Sequence, residues 1–275
     1  MPKGGCTIIL TGSLFGQRLF PNVHQSDIYR FGGIMKIGRI GVAVTLAAVT
    51  VSAHSDMDPA ALAAESLGKL AQAQAISVDV AVAEEAVLSQ GLKIRTLREG
   101  SVVLSRSDGF KFSRSGALVD QQVSYDGENV YGIGEKAKVF VSIPLSGTND
   151  EVMDILTKEA GAYLPGRDLF YEDAAEELLA EVLESHYLGL APVAGASCHY
   201  VVFRGPDVDW HLWINAGDML PSKYLITSKW MAGAPEFEMT FSNWNLNPSI
   251  NSDTFVLTAP EGYTRAKFVD MQPEF

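Results

Sequence analysis

Apolar and polar side chains alternate in short runs between Ala196 and Trp244. The apolar positions of the four runs are Cys198, Tyr200 and Val202; Trp210, Leu212 and Ile214; Tyr224 and Ile226; and Phe237, Met239 and Phe241. Turn signals rich in Gly, Pro and Asp separate the runs at intervals of about 8–12 residues, which is typical of an antiparallel meander. One face of the predicted sheet is therefore apolar, and a second layer, a helix or a ligand must cover it.

The same two-residue period begins at Ile76 and predicts about six further strands before residue 144. The first of them is Ile76–Val82, and a β-bulge is expected near Gly100. Ahead of these strands, Asp58 and Pro59 form a helix start, with Asp as the N-cap and Pro at the first helical position. This pattern predicts an N-terminal helix that ends near Gln74.

Two more helices are predicted between the two groups of strands. Thr148 and Glu151 have the spacing of a capping box, and Glu172–Glu184 has acids on one side and leucines on the other. The apolar residues expected to face the sheet from this insertion are Val152, Ile155, Leu156, Leu178, Leu179 and Val182. We call the N-terminal helix and this insertion the lid.

Short connections favour antiparallel neighbours, and a long antiparallel meander curls. The lid helices are the elements that the sequence offers to cover the apolar face of such a sheet. The sequence therefore predicts an α+β, mainly β fold. It would be a curved, unclosed antiparallel half-barrel of about 11 strands, with the N-terminal helix and the central helical insertion as its lid.

The front of the chain has a different pattern. Residues 1–34 show no helical or strand period, and we expect them to be a non-structural segment upstream of the true start. Two basic residues, an apolar run and a small-residue ending follow one another between Met35 and Ala53, which is the order of a secretory signal peptide. We therefore predict export to the periplasm by the signal peptide Met35–Ala53, and a single domain over residues 54–275.

The mature chain is strongly acidic. Residues 1–53 contain five of the 21 basic residues and one of the 33 acidic residues, so 16 and 32 remain and the formal net charge is −16. A protein of this charge is repelled by phosphate backbones and by anionic lipid surfaces. We therefore expect no nucleic acid partner.

Candidate catalytic groups do not converge in the sequence. Cys198 is the one cysteine left in the mature chain, and its apolar run favours a small buried side chain over a nucleophile. Ser66 and Lys69 have the Ser-x-x-Lys spacing of penicillin-recognising enzymes without the companion motifs. We therefore predict no catalytic residue, no metal site and no cofactor, and a hydrolase is the weakest hypothesis.

Several short motifs, taken in their order along the chain, are those of a known group of proteins. They are Tyr125-Asp126-Gly127, Asp150-Glu151, Val193-Ala194-Gly195 leading to Cys198, Val208–Ile214, Leu220–Lys223 and Phe255–Gly262. On these motifs the chain resembles the LolA/LolB-like superfamily of periplasmic lipoprotein carriers, and more closely an uncharacterised family of predicted periplasmic proteins. The resemblance implies an unclosed antiparallel barrel whose hydrophobic cavity lies under helices. In the better-known relatives that cavity holds acyl chains.

The alternating apolar residues are the candidates for a cavity lining. They are Phe112, Tyr125, Tyr200, Trp210, Leu212, Tyr224, Phe237, Phe241 and Trp244. Two interpretations are open: these side chains line a cavity for an apolar ligand, or they pack as a filled core between sheet and lid. A cavity for one acyl chain needs several hundred cubic ångströms, about the size of ordinary ligand pockets.

The sequence thus favours an exported, non-enzymatic protein that binds or carries an apolar ligand in a lidded hydrophobic cavity. The expected partner is an apolar small molecule, a lipid or the acyl chains of a lipoprotein. We expect a monomer with, at most, a transient membrane-associated partner. The alternative is a periplasmic scaffold or interaction module with a filled core.

Overall fold

The computed structural model describes residues 57–160, 162, 164 and 166–268. The predicted upstream segment (1–34) and the signal peptide Met35–Ala53 lie outside the described residues, and the domain bounds 54–275 stay a prediction. The helices are α1 Pro59–Gln72, α2 Asn149–Lys158 and α3 Ala174–Ala180, with a 3₁₀ turn at Arg167–Phe170 between the last two. The strands are β1 Ala75–Val87, β2 Lys93–Ser105, β3 Gly109–Gly116, β4 Asp120–Tyr125, β5 Asn129–Gly134, β6 Val139–Pro144, β7 Glu184–Val193, β8 Ala196–Arg204, β9 Val208–Asn215, β10 Pro221–Ser228, β11 Glu236–Asn245 and β12 Thr264–Arg265.

All twelve strands of the described chain belong to one sheet, in the order β12-β6-β5-β4-β3-β2-β1-β11-β10-β9-β8-β7. The meander β1–β6 and the meander β7–β11 join where β1 pairs antiparallel with β11. Every neighbouring pair is antiparallel except β12 and β6, which are parallel. The sheet is curved and unclosed, with β12 and β7 at its edges. The predicted mainly β half-barrel is therefore confirmed.

Local signals place the helices. The Asp58 carboxylate accepts a hydrogen bond from the backbone N–H of Ala60 at 2.9 Å, so the predicted cap of α1 is present. The predicted capping box of α2 is present as well, with Thr148 and Glu151 bonded to each other's backbone N–H groups. Among the described residues, no helix has the length and apolar character needed to cross a membrane.

Three details of the prediction are wrong. The ladder between β1 and β2 runs from Ala75 to Val87 without a register shift, so there is no bulge at Gly100. The predicted helix Glu172–Glu184 is shorter, because Glu184 already pairs with Arg204 as the first residue of β7. The sequence also predicts a short strand at Thr254–Leu257, which does not form, and the last strand of the described residues is the two-residue β12.

The register defines a concave face, by which we mean the face that carries Val80, Val82 and Val102. Val80 lies opposite Phe241, and Val82 lies opposite Met239 on the neighbouring strand. These side chains and the buried residues of α1, α2 and the 3₁₀ turn form one hydrophobic core. The concave face is thus covered by the lid, as the sequence predicts.

Candidate ligand site between the sheet and the lid

Most of the predicted lining residues lie together under the lid. Eight of the nine belong to the single core or pack against it: Phe112, Tyr125, Trp210, Leu212, Tyr224, Phe237, Phe241 and Trp244. Phe203 and Trp210 are stacked with ring centroids 3.9 Å apart, and Trp210 meets Tyr224 edge to face at 6.2 Å. These residues form an apolar wall under the lid. A small cavity, described below, remains between this wall and the lid, and Phe112 is the one residue of the eight that borders it.

Tyr200 is the exception, and its predicted place on the concave face is wrong. Its neighbours in β8, Val201 and Phe203, are fully buried and lie opposite Leu212 and Trp210. Because successive side chains of a strand point to opposite faces, Tyr200 lies on the convex face. There it stacks on Trp213 at 4.3 Å, and its hydroxyl lies 2.8 Å from Nδ1 of His211.

Phe170, at the end of the 3₁₀ turn, is the lid residue that fills the concave face. It is fully buried, meets Phe112 of β3 edge to face at 6.0 Å and lies 6.3 Å from Trp244 of β11. One ring therefore bridges strands from both meanders. Leu164, Leu169 and Tyr171 are also buried in this segment. Sequence reasoning missed all four residues, because the segment between the two predicted helices has no apolar period.

Arg106, the residue after β2, anchors the lid to the sheet. Its Nη1 donates to the Phe170 carbonyl oxygen at 2.7 Å, and its Nη2 donates to the Leu70 carbonyl oxygen at 3.1 Å. Burial lowers the pKa of the guanidinium, and the nearby carboxylates of Asp150 and Glu172 oppose that shift. One side chain thus holds the last turn of α1 and the 3₁₀ turn at the same end of the sheet.

A second polar anchor ties the 3₁₀ turn to β10. The Tyr224 hydroxyl donates to Oδ2 of Asp168 at 2.9 Å. Burial of its carboxyl group raises the pKa of Asp168, while the hydrogen bond from Tyr224 lowers it in part. The pKa of the Tyr224 hydroxyl is raised well above its usual value, first by burial and then by the Asp168 charge. A carboxylate buried at this position destabilises the fold unless it keeps the hydrogen bond from Tyr224.

The other predicted lid residues are placed as follows. In α2, Val152 and Leu156 are fully buried and Ile155 is half-buried, while the buried Met153 was not predicted. In and after α3, Leu178, Leu179 and Val182 are partly buried and pack against the core. Each helix of the lid and its 3₁₀ turn therefore contributes apolar side chains to the core over the concave face.

The lid leaves a cavity of about 40 Å³ above β1–β4. Such a space admits a water molecule or two, whereas pockets for small-molecule ligands measure about 300–1,000 Å³. Its walls are mainly apolar and include Val80, Val102, Phe112 and Leu164. Side chains of the sheet and of the lid thus fill most of the space over this part of the concave face.

Polar side chains lie at one end of this cavity, and we call Arg98, Arg114 and Gln121 the polar end. Arg98 is opposite Val82 in the β1–β2 register and forms an ion pair with Glu84. Arg114 donates from Nε and Nη2 to Oε1 of Gln121 at 2.9 and 2.5 Å. The sequence carries a signal for these residues, because Arg98 and Arg114 occupy positions where the two-residue period places apolar side chains.

In the part of the chain that the structure describes, no group of three or more His, Cys, Asp or Glu side chains is arranged to hold a metal ion. Cys198 is buried, with its Sγ 3.3 Å from the Ser222 hydroxyl oxygen. The burial of Cys198 agrees with the prediction of a small buried side chain at this position.

Comparison with solved structures gives distant similarities. An uncharacterised conserved protein from Thermus thermophilus is 9% identical over 76% of this chain and 99% of its own, with a TM-score of 0.45. The lipoprotein LppX of Mycobacterium tuberculosis is 15% identical over 72% of this chain and 100% of its own, with a TM-score of 0.42. A LolA superfamily protein from Nitrosomonas europaea is 12% identical over 70% and 97%, with a TM-score of 0.33.

No curated protein matches the sequence significantly. A family match, in contrast, extends over residues 61–269, which include every strand of the half-barrel and nearly all of its helices. The family is described as "Predicted periplasmic protein (DUF2092)", in agreement with the predicted periplasmic location. The chain therefore belongs to the DUF2092 family of periplasmic proteins.

Proposed function

We propose that this protein is a non-enzymatic periplasmic carrier that binds an apolar ligand between the concave face and the lid. The ligand would be a lipid or the acyl chains of a lipoprotein. The observation that carries the proposal is the contact of Phe170 with Phe112 and Trp244, in which a ring from the lid covers an apolar wall of the sheet. The family's periplasmic location is consistent with this role.

The polar groups of the site support a carrier over an enzyme. Arg106 donates to two backbone carbonyls of the lid, and Tyr224 donates to the lid carboxylate Asp168. These groups hold the lid in place and are shielded by it. Their arrangement is consistent with a lid that can close over the concave face and open again.

The mechanism follows from the balance between lid and ligand. The cavity of about 40 Å³ is too small for an acyl chain, so binding requires that Phe170 and the lid leave the concave face. Burial of an acyl chain yields about 0.8 kcal/mol per methylene group, so a chain of about ten methylenes contributes roughly 8 kcal/mol. This gain offsets the lost contacts of Phe170 and of the apolar faces of α1 and α2. Release follows when the lid closes again, and a transient membrane-associated partner would receive the ligand from the monomeric carrier.

The test is direct measurement of bound apolar molecules. The protein would be produced with its own signal peptide, purified from the periplasm and examined by native mass spectrometry, and its affinity for the uncharged dye N-phenyl-1-naphthylamine would be measured by fluorescence. We expect a co-purifying lipid mass or saturable dye binding with one site per chain. If neither is found, the half-barrel is a filled scaffold and the carrier proposal is wrong.

A further inference from the structure

We propose that the ligand of this carrier has an oxyanion head, a carboxylate or a phosphate, which the polar end of the cavity binds while the acyl tail lies along the apolar wall. This inference rests on the proposed carrier function and specifies the class of its ligand. The polar end consists of Arg98, Arg114 and Gln121, on the concave faces of β2, β3 and β4.

The key observation is an unpartnered donor. Gln121 is only 4% exposed, and its Nε2 has no hydrogen-bond partner although it is buried. Both donors from Arg114 reach Oε1 of the same amide, which fixes the amide with its NH₂ group on the other side. A buried N–H₂ group without an acceptor costs free energy, so a ligand oxygen placed there would be stabilised.

Charge and position make an oxyanion the best fit to that donor. Two guanidinium groups, Arg98 and Arg114, lie on the concave face here, and the carboxylate of Glu84 pairs with Arg98. Arginine presents planar N–H pairs that match carboxylate and phosphate oxygens. The overall charge of the chain is strongly negative, so the two arginines inside the half-barrel are not part of a generally basic protein surface.

The side chains that line the cavity change from polar to apolar along its length, which matches the head and tail of an amphiphilic ligand. Along β2 the concave positions change from Arg98 through Gly100 to Val102 and Leu104. Gly100 lies opposite Arg114 and borders the cavity between the polar end and the apolar wall. A tail that starts at the polar end would therefore meet Val102 and Phe112 next, and then the position of Phe170.

The test compares three ligands with the same ten-carbon chain: decanoate, decyl phosphate and decanol. Their dissociation constants for the mature protein would be measured by isothermal titration calorimetry below the aggregation limit of each ligand. We expect at least one of the two anions to bind about tenfold more tightly than decanol, the effect of one charge-assisted hydrogen bond. The order of the two anions then tells whether the head is a carboxylate or a phosphate.

Variants separate head recognition from folding. Gln121→Leu and Arg114→Met are expected to bind the anions no more tightly than decanol, whereas Gln121→Glu should still pair with Arg114 but bind the anions more weakly than decanol. Arg95→Met is the matched control, because Arg95 lies on the convex face of β2 and pairs with Glu238 at 3.4 Å. Circular dichroism would confirm that each variant is folded.

The outcomes distinguish this inference from the carrier proposal. Equal binding of the anions and decanol by the unchanged protein would overturn the oxyanion inference and leave the carrier proposal standing. A preference for the anions that persists in both Gln121→Leu and Gln121→Glu would also overturn it. Absence of binding for all three ligands would overturn both.

Discussion

Arg106 Nη1 donates a hydrogen bond of 2.7 Å to the carbonyl oxygen of Phe170, the residue whose ring fills the concave face. The same guanidinium reaches the Leu70 carbonyl at the end of α1. A single side chain at the end of β2 therefore connects both parts of the lid to the sheet. In the proposed carrier, this connection opposes the uncovering of the concave face.

Replacement of this side chain should loosen the lid. Arg106→Met removes the donors of two carbonyls, and we expect it to lower the free energy of unfolding by about 1–3 kcal/mol. Because each 1.4 kcal/mol changes an equilibrium about tenfold, uptake of N-phenyl-1-naphthylamine in stopped-flow measurements should become roughly tenfold faster. Arg204→Met is the control, since Arg204 is exposed and pairs only with Glu184 in the described structure. Identical dye kinetics in both variants would contradict the role of Arg106.

The buried carboxyl group of Asp168 should make the stability depend on pH. Burial raises its pKa in the folded protein above the ordinary value of 3.8, so the folded state holds a proton that the unfolded chain has already lost. The contribution of Asp168 to the free energy of unfolding therefore falls as the pH rises from 3.8 through the folded pKa, and is constant above it. Asp168→Asn lacks this titration, while its side-chain carbonyl can still accept from the Tyr224 hydroxyl.

The measurement is urea denaturation of the two proteins between pH 4 and 7. We expect the stability of Asp168→Asn, relative to the unchanged protein, to increase with pH across this interval. Tyr224→Phe removes the hydrogen bond that lowers the Asp168 pKa, so the free energy of unfolding of this variant should fall more steeply with pH than that of the unchanged protein. Parallel pH profiles for all three proteins would show that Asp168 is not the buried titrating group.

The secondary structure could be predicted where the signals are local. Asp58 and Pro59 predict the start of α1, Thr148 and Glu151 predict the start of α2, and both caps are present. The two-residue period over most of the remaining chain was enough to predict the curved antiparallel sheet. Each of these signals is contained within a few neighbouring residues, and tertiary packing does not override them here.

The site was only partly predictable, for two physical reasons. Tyr200-Val201-Val202-Phe203 is a continuous apolar run, and a run of this kind does not tell which alternate residues face the core. The place of Phe170 depends on contacts with Phe112 and Trp244, which are distant in the sequence. Arg98 and Arg114 could have been identified from the sequence, because a charged residue at an apolar position of a strand is itself a signal of function or of ion pairing.

Two glycines allow a matched test of the sheet geometry. A Cβ atom at Gly100 would lie 2.0 Å from the backbone oxygen of Ser113, so Gly100→Ala should destabilise the protein by about 1–3 kcal/mol through overpacking. Gly68 lies in α1, where a Cβ would meet only the end of Gln72 at 4.0 Å. Gly68→Ala should therefore stabilise by about 0.5–1 kcal/mol. Urea denaturation measures both, and an unchanged stability of Gly100→Ala would contradict the close approach of β2 and β3.

Truncation of Phe170 tests whether a ligand can take its place. Phe170→Ala should lower the free energy of unfolding by about 3–5 kcal/mol, since it empties the concave face at a fully buried position. If the vacated space adjoins the path of the ligand, decanol should restore part of this loss, because a ligand that binds only the folded state raises its stability. Phe255→Ala is the control, because Phe255 is buried but lies outside the core under the lid. Decanol should therefore not restore the stability that this variant loses. The thermal midpoints of both variants with and without decanol give the comparison, and equal shifts would mean that Phe170 does not occupy the ligand's position.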